Sequence, residues 1–71
     1  MKYHVYRKSK HTGQVEVRRT KCSDFWCSEK FMELHPEMVW EFSKQGAQKI
    51  VDRENAKGWH FEYWMEPVKT A

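Results

Sequence analysis

Strict alternation of apolar and polar side chains, the mark of a half-buried strand, appears in three stretches of this chain. Residues 2–8 set Tyr3 and Val5 on one side and His4, Tyr6 and Lys8 on the other, and residues 14–21 continue the pattern with Val15 and Val17. The intervening SKHTG brings Gly13 to the place where a longer hairpin loop commonly needs positive φ. After Gly58, WHFEYWME sets Trp59, Phe61, Tyr63 and Met65 against His60, Glu62, Trp64 and Glu66, before Pro67 ends the run.

Between these stretches the period lengthens. From Ser23 to His35 a short helix is expected, with Cys27, Phe31 and Leu34 on one face and Phe25, Trp26 and Met32 off it. Pro36 and Glu37 suit the start of a second helix, because a first-turn proline loses no hydrogen bond and a carboxylate favours the positive end of the dipole. Val39, Phe42, Gly46, Ala47, Ile50 and Glu54 would then lie on or near one stripe, and Lys57–Gly58 would close the helix. The long helix is the first expectation. A competing assignment makes residues 38–42 a strand and lets Ser43 cap a shorter helix ending at Lys57.

The fold expected is a small single α+β domain over residues 1–71, with a hairpin at 2–21, a helical region at 24–57 and a strand at 59–66. That last strand would complete a three-stranded antiparallel sheet with one face under the helices and the other open to water.

Length narrows the picture, since 71 residues leave little room for a deep pocket beside a core. Four Trp, three Tyr and four Phe make that core aromatic, with Trp59, Phe61, Tyr63, Phe31 and Phe42 the residues to be housed. No apolar run follows the basic N-terminus as a signal peptide would require, and no stretch reads as a membrane span. Cys22 and Cys27 are too few for a disulfide framework, so a cytoplasmic location is expected, as a monomer or a homodimer.

Charge changes the picture more. Seven of the thirteen Lys and Arg residues fall within KYHVYRKSKHTGQVEVRRTK, which contains one acid, Glu16. Residues 1–22 thus carry +6, and residues 23–71, with six cations and nine anions, carry −3. The expected solvent face of the sheet shows His4, Tyr6, Lys8, Arg18, His60 and Trp64, interrupted by Glu16 and Glu62. Arg7, Lys10, His11, Arg19 and Lys21 fall along the hairpin edges and tip. Rings among cations are what a single-stranded nucleic-acid surface uses, bases stacking while Lys and Arg neutralise phosphates. The plainer explanation is a solvated edge that discourages aggregation. An acidic protein surface is a further class of partner.

Trp26, Trp40 and Trp64 raise another class, because exposed Trp anchors protein interfaces. That composition fits a small inhibitor or adaptor, of the kind viruses make, docking on a host enzyme. Cys22 and Cys27 with His35 offer zinc ligand types but lack the two tight pairs of a structural site, so no metal is expected. No phosphate loop, nucleophile elbow or helical His pair is present, so neither catalysis nor a cofactor is expected. Glu29, Glu33, Glu37 and Glu41 recur every four residues as an acidic ridge, read most simply as a solvated helix surface. The expectation is a non-enzymatic module engaging RNA or single-stranded DNA through Tyr6, Arg7, Lys8, Lys10, His11, Arg18, Arg19, Lys21 and Trp64. The inhibitor or adaptor is the alternative.

Overall fold

The computed structural model describes residues 1–69. Its elements are β1 (Lys2–Ser9), β2 (Val15–Arg18), β3 (Trp26–Ser28), α1 (Glu29–Leu34), a 3₁₀ turn at Pro36–Met38, β4 (Phe42–Ser43), α2 (Lys44–Lys57) and β5 (Phe61–Pro67). The expected α+β class is observed, with the sheet enlarged from three strands to five by the short β3 and β4. Strand β1 is central: β5 pairs along one edge, from Tyr3↔Pro67 to Ser9↔Phe61, while β2 and then β4 follow each other along the other. Outside β2 lies β3, in the register Val17↔Cys27. All these pairings are antiparallel.

The hairpin turn explains the register. Ser9 Oγ accepts from the backbone N–H of His11 and Thr12, both at 3.2 Å, and Gly13, at φ 75°, donates its N–H to Ser9 O. Tyr6 therefore faces Val17, and Lys8 faces Val15. This corrects the expected faces: Val15 and Val17 share a side with Tyr6, and Arg18 and Glu16 share the other with Val5 and Arg7. Side chains alternate along a strand, so a pairing that offsets the two strands by one residue exchanges every face.

Both faces of the sheet are covered, where one was expected open. On one side Val5, Phe42, Ala47, Ile50 and Val51 form a buried cluster beneath α2, extended by Tyr3, Trp26, Tyr63 and Met65. On the other, Tyr6, Val17 and Val39 are buried with Val15, Cys27, Met32 and Trp64 against them. His4 and Arg18, expected at the surface, are buried at 6% and 4% exposure.

These two clusters also decide the competing helix assignments. Val39 is buried on one side of the sheet and Phe42 on the other, so the chain crosses the sheet's end in extended form, with Val39 at φ −113°, ψ 126°. One helical stripe cannot serve both. The first-choice helix from Pro36 is thus replaced by a 3₁₀ turn, β4 and the shorter α2, whose N-cap Ser43 accepts from Gly46 N at 3.1 Å. Gly58, at φ 60°, closes α2 in the left-handed conformation. Similarly, the helix expected from Ser23 begins only at Glu29, capped by Ser28, because Cys27 pairs with Val17 as a strand residue.

At the outer edge of β5, Asn55 of α2 takes the place of a neighbouring strand: its amide donates to Tyr63 O at 2.9 Å and accepts from Tyr63 N at 3.0 Å. Covering an open edge in this way protects it from pairing with another chain. Trp59, expected in the core, precedes β5 and stands 75% exposed.

Candidate nucleic-acid interface

The basic residues of the hairpin divide into those the fold uses and those it leaves at the surface. Arg7 is used: its Nε donates to Glu16 Oε1 at 2.8 Å, and its guanidinium carbon lies 4.4 Å from the Trp26 ring centre and 4.2 Å from that of Phe61. A partly desolvated guanidinium over a ring face is attracted by the ring quadrupole. Arg18 donates to Thr20 O at 3.1 Å, and Asp24, which also accepts from Trp26 Nε1, lies 3.9 Å from its guanidinium. Tyr6 stacks almost parallel on Trp64, with ring centres 5.5 Å apart, and Trp64 donates its indole N–H to Glu66 at 2.7 Å.

Lys8, Lys10 and His11 remain exposed near the tip, where Lys10 Nζ reaches Gly58 O at 3.5 Å and the His11 and His60 rings meet at 2.9 Å. Such a pair needs one imidazole N–H and one bare nitrogen. Arg19 lies over Phe25 and Phe31, at 4.9 and 4.6 Å, and Lys21 Nζ lies 5.6 Å from the Trp40 ring centre.

Around Trp40 the fold brings together what the sequence scatters. Its backbone N–H donates to Arg19 O at 2.9 Å, which ties the segment crossing the sheet's end to the base of the hairpin. Trp40 stays 46% exposed. On one side it walls a groove of about 380 Å³ rimmed by Lys2, Lys21, Lys49 and Arg53, with Phe42 and Ile50 among its lining. On the other it walls a second groove of about 370 Å³ that includes Arg19 and Lys2. Glu41 is the acid common to both, and Glu37 joins it in the second.

Of the nine residues expected to form the site, Arg19 and Lys21 flank Trp40; Lys8, Lys10 and His11 occupy the far end of the hairpin; Arg7 is half-buried. Tyr6 and Arg18 are buried, and Trp64 is half-buried beside Glu66. Missing from the expectation are Lys2, Lys49 and Arg53. Lys49 and Arg53 stand four apart on α2, the spacing that places two cations on one helix face, and this was the available signal.

Burial holds the His4 imidazole below its ordinary pKa, with Glu41 opposing the shift. It pushes the Tyr6 hydroxyl up, helped by Glu66 and Glu29. Burial also raises the Cys27 thiol, against the pull of Arg19 and with a smaller push from Glu16, so Cys27 stays protonated. Cys22 is exposed. Among the described residues no three His, Cys, Asp or Glu side chains gather as metal ligands, and no helix is long and apolar enough to cross a membrane. Comparison with family models, with curated proteins and with solved structures finds no match to this chain.

Proposed function

We propose that this protein is a non-enzymatic module that binds single-stranded nucleic acid, RNA or DNA, along the grooves flanking Trp40. One observation carries the reading: an exposed indole stands between two grooves whose rims hold Lys2, Arg19, Lys21, Lys49 and Arg53. A base stacks on the ring, and the cations neutralise the phosphates on either side. The hairpin takes part through its base, which supplies Lys2, Arg19 and Lys21. The reading includes a cytoplasmic setting, consistent with two cysteines that are both free thiols.

A fluorescently labelled oligouridylate and an oligothymidylate, titrated between about 50 and 200 mM salt, test it. Both should bind, and neutralisation of three or four phosphates should give log affinity against log salt a slope of roughly −2 to −3. Absence of saturable binding to either strand would refute the reading. The runner-up, an inhibitor or adaptor docking on an enzyme, is favoured by a different observation, the 75% exposure of Trp59. A partner protein that survives nuclease treatment in a pull-down, and is lost with Trp59→Ala, would support it.

A further inference from the structure

The recurrence of Glu29, Glu33, Glu37 and Glu41 reads from sequence as a solvated ridge, and the fold gives three of these residues another setting. Glu29 and Glu33, one turn apart on α1, line a cavity of about 290 Å³ together with Glu41 and with Glu66 of β5. Among the described residues, Lys69 is the one Lys or Arg on its wall. His4 and Tyr6 of β1 line it as well. His4 is 6% exposed, and among the described residues its Nε2 is a buried nitrogen with no hydrogen-bond partner. Buried polar atoms are rarely left unpaired, and this one belongs to a side chain on the cavity wall, where a donor could reach it. The carboxylates do not converge on a point, since no three ligating side chains gather among the described residues to hold a metal ion. They are distributed around a wall, which suits a flat cation with donors on several sides.

We infer that this cavity receives the guanidinium of an arginine from a basic segment of a partner protein. Guanidinium carries five N–H donors in one plane and no acceptor, and its pairs with carboxylates are often bidentate. The wall offers carboxylates from α1 and β5, together with Glu41, and His4, in the neutral tautomer protonated on Nδ1, would present Nε2 as one more acceptor. Lysine is a poorer fit, because its compact ammonium has three donors and meets fewer of these groups at once. The field in the cavity agrees with this: Glu66 and Glu29 both help to raise the Tyr6 hydroxyl pKa, and Glu41 acts on His4 in the direction that favours its cation. The inference does not rest on the nucleic-acid reading, which concerns the grooves beside Trp40.

The test is a titration of isotope-labelled protein with the capped tripeptide Gly-Arg-Gly, and with its Lys and Gln counterparts, followed by amide and imidazole nitrogen spectra. Saturable shifts should be confined to His4, Tyr6, Met32, Glu66 and their neighbours, with the His4 Nε2 resonance moving, Arg binding several-fold tighter than Lys, and Gln not binding. Glu29→Gln/Glu33→Gln should weaken the Arg peptide about tenfold. Both residues are exposed, so the fold should survive, and Glu66→Gln repeats the test from β5. Equal effects of Arg and Lys, shifts spread over the surface, an unmoved Nε2 resonance, or unchanged binding by the variants would overturn the inference.

Discussion

Arg7→Ala is the substitution that separates a solvated basic hairpin from one whose charges serve the fold. The guanidinium makes an ion-paired hydrogen bond of 2.8 Å to Glu16, the two side chains being 18% and 28% exposed, and stands over the rings of Trp26 and Phe61. A hydrogen bond to a charged group is worth about 1.5–3 kcal/mol, and each cation–π contact about 0.5–1 kcal/mol or more when desolvated. These terms overlap, and partial exposure trims the ionic one, so a loss of about 2–3 kcal/mol is expected. A chain of 71 residues has a total stability of roughly 4–10 kcal/mol, and each kcal/mol is about 4–8 °C in a domain of this size, so melting should fall by roughly 10–20 °C. Thermal and urea unfolding followed by circular dichroism measure this. Glu16→Gln, which keeps the ring contacts, should cost about 1 kcal/mol. Arg7→Lys should fall between the two, because a compact ammonium keeps the charge but lacks the planar surface that a guanidinium lays against rings. A change below about 0.5 kcal/mol for Arg7→Ala, the ordinary size of a surface substitution, would refute the argument and return Arg7 to the solvent.

Asn55→Ala removes the two hydrogen bonds that cover Tyr63 at the edge of β5, and should cost about 1–2 kcal/mol and speed amide exchange at Tyr63. His4 is held below its ordinary pKa by burial, so the unfolded chain binds the proton first: stability should be level above about pH 6.5 and decline as pH falls from there towards the folded pKa. His4→Gln should remove that part of the decline in urea midpoints. Cys22 should be alkylated by iodoacetamide well before Cys27, whose thiol is raised by burial, and mass spectrometry of partly modified protein reads the order.

The hairpin and the C-terminal strand were legible in the sequence, and the Ser43-capped helix only as the competing assignment, because each is local: alternation, a loop glycine, a capping serine and a closing glycine all act within a few residues. What sequence reading misplaced depends on pairing. The side on which Val15 and Val17 lie is set by how Ser9 and Gly13 close the turn, and that one-residue offset alone moves Arg18 from surface to interior. Val39 and Phe42 look like one helical stripe until two separate clusters claim them. Trp26–Ser28 has a strand's conformation because β2 offers an open edge, which no local pattern in residues 23–35 announces. The Trp40 grooves escaped for the same reason, since Lys2, Lys21, Trp40, Lys49 and Arg53 come from four separate parts of the fold and only the path across the sheet's end brings them together.

The most direct measurement for the central claim is the salt dependence of oligouridylate binding by Trp40→Ala compared with Lys49→Glu/Arg53→Glu, both checked for an intact fold by circular dichroism. Loss of the indole should weaken binding by about 1–3 kcal/mol and leave the slope against log salt unchanged, because stacking carries no counterions. Charge reversal on α2 should weaken binding and flatten the slope by roughly 0.7 for each phosphate that is no longer neutralised. Wild-type affinity in Trp40→Ala, or an unaltered slope after the charge reversal, would contradict the assignment of these grooves to nucleic acid.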